Sequence, residues 1–333
     1  MTPRNVWLLV VLGLIVLPAS CVPPQPKNLV WTIEDYPVTV TIEPGQKITP
    51  DAESGILDEL KDRAGMLDPA EGDVLGRLNL SDQGEVVPAG RVSETLTKLL
   101  QYSRECFGAF DPTVQVLWDV YDFNHGGRRV TDAEIADALQ WVDYKLVEMD
   151  RGGILRKGEN VRVGLGPTMP GAIADWASDL ARREGIERGK VNAGQCVKVW
   201  GEVDDKSRVY EFRYPLDKRL SDEFQPTVGF VKLDTGESLA ALDDDEGYFF
   251  AGGEQFHMVL SPLTGKPVRD ISAVVIVSKE SCLQASVFAY AVMVMGLDRG
   301  LEFLDETEGV EGLILTHDGK VHASGGLGDK FWR

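Results

Sequence analysis

The sequence predicts a mixed α+β body with antiparallel strands and packed helices, and three observations carry that reading. Strand-like alternation and helical periodicity take turns along the chain, which is the pattern of mixed layers. No internal repeat or low-complexity block interrupts them. Roughly 310 residues follow an N-terminal export segment, enough for one large domain or two small ones.

That export segment is residues 1–20. Arg4 precedes an apolar run from Val6 to Leu17, short for a bilayer span, and Pro18-Ala19-Ser20-Cys21 follows. Small residues before a cysteine fit a lipoprotein cleavage site that leaves Cys21 as the lipidated N-terminus. Leu17 stands one place early, so plain secretion is the alternative. Residues 21–28 read as an extended Pro-rich tether, and 29–328 as the folded body. No later segment is long and apolar enough to cross a membrane. The protein is then expected on the periplasmic side of a membrane, held by lipid.

The formal charge of −19 argues against nucleic acid, because no basic surface replaces phosphate counterions. It also opposes a diphosphate ligand unless a metal or clustered cations assist. Beyond Cys21, Cys106, Cys196 and Cys282 are odd in number and far apart, so buried free thiols are expected and metal-ligand spacing is missing.

Taken in order, residues 28–43 are strand material (Leu29, Val30, Trp31, Val38, Val40), and a helix covers 52–66 before Asp68-Pro69. Ser93 to Cys106 places Leu96, Leu99, Leu100 and Ser103 on one helical side. In Gly108-Ala109-Phe110-Asp111-Pro112-Thr113-Val114, Gly108 and Pro112 fix a turn across which Asp111 accepts backbone N–H bonds. Thr131 and Glu134 make a capping box. Three strands (145–149, 153–156 and 161–165) are expected as a meander. A glycine-rich strand-to-helix turn over 164–171 follows, a natural cradle for phosphate. Pro167 and Pro170 delete two of its N–H donors. The next helix packs Ile173, Trp176, Ala177 and Leu180 and stops near Gly185.

A strand pair is expected around Tyr210 to Tyr214, and Asp243, Asp244 and Asp245 as a solvated loop, a substitute metal site being the minor alternative. Residues 255–268 read as a buried strand (Phe256, Met258, Leu260) entering a rigid turn from Ser261 to Pro267. Such loops present backbone N–H groups to ligands, though an ordinary hairpin exit reads the same way. A β run over 271–278, a helix over 281–296 and a final section to Ile314 complete the body, with a turn at 317–320. His125, His317 and His322 sit in turn-like polar contexts.

Several of these segments, together, resemble the ApbE flavin transferases. Pro262, Thr264, Gly265 and Pro267 match the family's H-I-I-D-P-x-T-G-x-P, with Met258 in place of the histidine and Ser261 in place of the aspartate. Residues 108–114 are close to letter-perfect against G-x-F-D-P-T-V. Leu75, Leu78 and Asn79 match the end of S-x-L-x-R-L-N. Leu165, Gly166, Gly171 and Asp175 agree with D-L-G-G-I-A-K-G-x-x-x-D, whereas Gly164 replaces its first aspartate and Pro170 its lysine, and Met169 falls where an alanine carbonyl touches the metal. Asn192 and Gly194 agree with N-x-G-G-D/E without its carboxylate, and residues 239–245 occupy the T-S-G position. In A-D-A-x-x-T, Ser286 replaces the aspartate and Tyr290 the threonine.

The resemblance implies a two-lobed fold and Mg²⁺-dependent transfer of FMN from FAD to a threonine of an extracytoplasmic target protein, such as a flavoprotein of a redox complex. It assigns Gly108, Asp111, Gly166, Gly171, Asp175, Asn192, Gly194, Thr264, Gly265 and Lys266 to the flavin-nucleotide site, and Ser286 and Tyr290 to the metal-ligand positions. Neutral Ser and Tyr are poor magnesium ligands. Three readings stay open here. One is a family member with impaired or lost catalysis that binds a partner or a flavin. A second is an active transferase using His257 as base and Lys266 or Arg269 as cation. The third is an unrelated ligand-binding lipoprotein.

Overall fold

The computed structural model describes residues 25–213, 226–245 and 247–333. The signal segment, the first half of the tether (residues 21–24, Cys21 included) and Tyr214 lie outside them.

The chain opens on a hairpin, β1 (Lys27–Ile33) and β2 (Tyr36–Ile42), whose inward residues Leu29, Ile33, Val38, Val40 and Ile42 are buried. Helix α1 (Pro50–Met66) starts at Thr49, whose hydroxyl accepts from Ala52 N, and has proline in its first turn. Short α2 (Leu75–Leu80) and β3 (Val87–Pro88) lead into α3 (Ser93–Glu105). Asp111 begins a 3-10 turn into α4 (Gln115–Tyr121), and α5 (Asp132–Leu139) carries both arms of the Thr131–Glu134 capping box. Strands β4 (Val147–Met149) and β5 (Ile154–Lys157) pair, and the third member of their sheet is β3.

Residues 161–165 therefore form no strand, contrary to the expected meander. Asn79 takes their hydrogen bonds instead: its Oδ1 accepts from Val163 N at 2.7 Å and its Nδ2 donates to Val163 O at 2.9 Å. Periodicity could not anticipate a side chain 84 residues away satisfying that backbone.

Next come α6 (Met169–Arg183), β6 (Gly189–Ala193), β7 (Cys196–Trp200), β8 (Val209–Arg213), β9 (Thr227–Lys232) and β10 (Ser238–Asp243). A small hairpin follows, β11 (Phe249–Ala251) with β12 (Glu254–Phe256), then β13 (Ala273–Ser278), α7 (Cys282–Met295), α8 (Leu297–Glu306), β14 (Val310–Leu315), β15 (Val321–Ala323) and β16 (Phe331–Trp332).

Eight of these strands make one antiparallel sheet in the order β1-β2-β6-β7-β10-β13-β14-β15. Its two faces build two cores. Val274, Ile276, Ala240 and Leu242 point to the helices, chiefly α6 and α7. Val275, Val277, Leu239 and Leu313 share a core with Phe212 and Val231 of the smaller β16-β9-β8 sheet and with Leu233 just after β9. Burial on both sides explains why β13 reads as an apolar run. Helix α7 runs through the helical core, buried from Cys282 to Met293. Each fully buried Val or Phe on it contributes roughly 1.5–3 kcal/mol over an exposed one.

The aspartate triplet departs from the expected solvated loop. Leu239 to Asp243 is a central strand paired with β13 and β7, and only Asp244 and Asp245 turn. β-branched neighbours in β13 supply the pairing surface that the local acidity masked.

Candidate functional site

Some of the residues singled out above gather where three structures meet: the entry to α6, the middle of α7, and the loop after β12. The α6 entry is tight. Gly166 has φ +50°, and a Cβ there would lie 2.1 Å from the Trp118 ring. Gly171 lets α6 approach α7, since a Cβ would lie 2.3 Å from Ser286 Oγ and 2.6 Å from Cys282 O. Both glycines serve close packing. No strand precedes this turn, and Pro167 and Pro170 line a cavity beside it.

Asp175, one turn further along α6, faces the start of α7. Its two oxygens accept from Cys282 N (3.0 Å) and Leu283 N (2.9 Å), and Lys198 Nζ donates to it at 2.6 Å. Burial disfavours the Lys198 ammonium, yet Asp175 holds its pKa above the usual range. The carboxylate is thus committed to an N-terminal cap and a partly buried ion pair. Sequence reasoning missed Lys198. The available signal was a lysine between Cys196 and Trp200 on one face of β7.

Ser286 is 5% exposed, and its hydroxyl donates within the helix to Leu283 O at 3.1 Å, with Thr168 O at 3.4 Å. Tyr290, one turn later, is fully buried. Its hydroxyl donates to Leu260 O at 2.7 Å and accepts from Leu260 N at 2.9 Å. Burial drives the phenol pKa far above its ordinary value, so it stays neutral.

The loop is held from the other side by α4. Trp118 Nε1 donates to Met258 O (2.8 Å) and Tyr121 Oη to Gly265 O (3.1 Å). Gly265 has φ +67°, and a Cβ there would meet Ile135 of α5 at 2.5 Å. Thr264 and Lys266 are on the outside. Thr264 N approaches Ser261 Oγ at 3.3 Å, and Lys266 pairs with the exposed Asp132 at 2.7 Å. Trp118 and Tyr121 follow directly from the Asp-Pro-Thr-Val segment, and that proximity was the signal for their role.

Phe256 closes β12, so residues 257–260 leave the strand pattern, and an isolated bridge between Leu260 and Pro267 replaces it. His257 is 2% exposed, with Nε2 against Val268 O at 2.9 Å, which assigns the proton to Nε2. Its Nδ1 is buried without a partner. Burial pushes the imidazole pKa down to about 4, so it is neutral at pH 7. Arg269 binds Glu254 and Gln255 O.

Asp111 is 4% exposed and accepts from Thr113 N, Thr113 Oγ1 and Tyr144 N (2.8, 2.5 and 2.8 Å). Gly108 (φ +77°) packs against Tyr144. Both build the turn under α4. Asn192 sits within β6, opposite Thr39 and Val197, and Gly194 (φ +51°) makes the tight β6–β7 turn. The three cysteines in the described residues are buried, and none of them is in a disulfide.

Gly194, Ser286, Pro167, Pro170, Tyr36, Cys196 and Leu242 enclose a cavity of about 90 Å³. Sites for small molecules usually measure roughly 300–1,000 Å³. Magnesium seeks several hard, mostly anionic oxygens, and the groups at hand are two neutral hydroxyls bonded to backbone. Among the described residues, no group of three or more His, Cys, Asp or Glu is placed to hold a metal ion. The donor set does not fit Mg²⁺.

Comparison with known proteins gives this arrangement a family. A protein of Rhodobacter capsulatus named FAD:protein FMN transferase is 29% identical over 244 residues, 70% of this chain but 45% of its own length. The chain thus spans about half of that relative. The protein of the same name from Vibrio cholerae is 26% identical over 81% of this chain and 80% of its own. Among solved structures, the ApbE protein of Thermotoga maritima superposes with a TM-score of 0.78 at 25% identity, covering 90% of this chain and 97% of that one. The flavin transferase ApbE of Vibrio cholerae gives 0.74 at 21% identity, over 92% and 99%, a likeness of fold. With the family profile matching residues 35–314, this chain belongs to the ApbE family.

Proposed function

We propose that this protein is an exported, lipid-anchored ApbE-family member in which FMN transfer from FAD is impaired or lost, leaving a flavin-binding or partner-binding role. One observation carries the reading: the positions expected to hold a cation hold Ser286 and Tyr290, whose hydroxyls are spent on backbone carbonyls. Phosphoryl chemistry at a pyrophosphate depends on charge stabilisation by metal or cation. Pro170 in place of the family lysine removes a second positive charge, and the cavity beside it is small. The export signal and Cys21 support an anchor on the periplasmic side of a membrane, where a flavoprotein or redox complex would be the partner.

The active reading, with His257 as base, draws on one observation, the buried Nδ1 lone pair without a partner. A base must reach its proton, and His257 is enclosed, while Lys266 and Arg269 are paired outside. Incubation with FAD, with and without Mg²⁺, followed by analysis of a target protein carrying an acceptor threonine, separates the readings. We expect no covalent flavin on the target. Metal-dependent labelling would establish the active reading and overturn ours. Retained flavin fluorescence without labelling identifies a carrier, and no retention leaves partner binding.

A further inference from the structure

Strand β1 is one edge of the eight-stranded sheet, and β15 is the other. The two edges differ. β15 has three residues and follows the charged turn of Asp318 and Lys320. β1 has seven, Lys27 to Ile33, in unbroken register with β2. From Asn28 to Ile33 it carries no charge, proline or bulge, and edges are ordinarily blunted by one of those devices.

The register identifies the backbone groups of β1 that look outward. Gly194 N donates to Pro37 O at 3.0 Å, so Pro37, and with it Thr39 and Thr41, turn their backbone groups to β6. Alternation then gives Tyr36, Val38, Val40 and Ile42 to β1, where they meet Ile33, Trp31, Leu29 and Lys27. The N–H and C=O groups of Asn28, Val30 and Thr32 are left facing out, and no hydrogen bond reaches them from the described residues. The Val30 side chain, at the centre of the strand, is 68% exposed. Pro23, Pro24 and Pro26, just ahead, lack the N–H groups that a covering strand of the same chain would need.

Charge narrows the occupant. β1 begins at Lys27 and runs into the Glu34-Asp35 turn. Partial desolvation, then the carboxylates of Asp68 and Asp35, push the Glu34 carboxyl above its usual range. Among the described residues, neither Glu34 nor Asp35 has a basic side chain in ion-pair reach. An antiparallel strand that suits this edge is uncharged in the middle, acidic where it passes Lys27 and basic where it passes the turn. β1 itself, reversed, meets that description.

We propose that two copies of this chain associate through β1, antiparallel about a two-fold axis at Val30, joining their eight-stranded sheets into one. Val30 then exchanges both backbone hydrogen bonds with its counterpart in the second copy, and Asn28 does so with Thr32 on either side. Leu29 lies across from Trp31 on the helix-facing side, and each Lys27 closes on the other copy's Glu34-Asp35 turn. Such a contact is isologous, so it closes at two chains and leaves no edge of this kind exposed. It is independent of flavin transfer.

Light scattering on the full mature chain, over a concentration series to about 1 mM, is expected to show the mass rising from one chain to two. Val30→Lys sets two ammonium groups face to face at the axis and should raise the dissociation constant about tenfold or more. Its Tm should change little, because the side chain is exposed. Val30→Cys should cross-link under mild oxidation, since Cα atoms opposed across such a pair lie about 5.5 Å apart, within disulfide reach. Mass spectrometry of the digest is then expected to find position 30 joined to position 30. A wild type that stays monomeric, a dimer indifferent to Val30→Lys, or failure to cross-link at that position overturns the pairing. Should either variant fold poorly, hydrogen–deuterium exchange of the wild type decides. The amides of Asn28, Val30 and Thr32 should exchange more slowly as concentration rises, and unchanged exchange refutes the interface.

Discussion

Asp175 and Lys198 form the ion pair on which most depends at the level of single side chains, at 17% and 14% side-chain exposure. Removing one partner leaves the other charged and largely withdrawn from water, a loss bounded above by the roughly 3–5 kcal/mol of a fully buried pair. Asp175→Ala also uncovers two N–H groups of α7. We expect it to shift the urea midpoint far more than Lys198→Met, which deletes the charge and keeps the apolar stem. Two titrating groups with opposite signs lie near the loop. His257 is held down to about 4, so its contribution to stability is complete above 6.5 and is lost as pH falls toward 4. Asp244 is raised to about 6, by burial first and then by Asp245, against the pull of His317 and Arg269. Its contribution runs the other way, and stability is lost as pH rises from 3.8 to 6. The two oppose each other between pH 4 and 6. Asp244→Asn should therefore gain Tm relative to wild type as pH rises through that window, with little difference at pH 4. A constant difference across the range would refute the assignment.

Among the elements, α6, α7 and their contact decide the architecture. Gly171→Ala places a methyl group against Ser286 and the Cys282 carbonyl, and backbone cannot yield as a flexible side chain can. Overpacking typically costs 1–3 kcal/mol, and calorimetry should show a Tm loss without any change in α5. Thr131→Ala, by contrast, removes an exposed cap on α5 and should cost about 1 kcal/mol. Much of this layer was legible in the sequence. Helices at 52–66, 93–106 and 281–296 follow from apolar spacing and caps, and the 131–134 box is a local signal read locally. What escaped was non-local. The 161–165 segment depends on Asn79, and the strand status of Leu239–Asp243 depends on β13, neither of which a short window contains. The candidate site was half legible: its glycines and the Tyr290 position stood out, whereas Tyr290's partners did not, because a hydroxyl's destination is set by tertiary packing.

For the whole molecule, the proposed lipid anchor is the feature open to the most direct test. No helix among the described residues is long and apolar enough to cross a membrane, and the proposed attachment is through Cys21. Cys21→Ser is expected to move the protein from the membrane to the soluble periplasmic fraction, read by fractionation and by the mass of the N-terminal peptide. An acyl-free N-terminus in the wild type would refute lipidation and leave secretion.

The register of the first four strands has a geometric consequence. Lys27, Ile42, Gly189 and Trp200 line up at one end of the sheet, and Tyr36, Ala193 and Cys196 at the other, beside Ser286. The seven residues of β1 put roughly 20 Å between the Lys27 rim and the hollow. An anchor at Cys21, as proposed, would therefore leave the hollow at the end of the sheet remote from the attachment point.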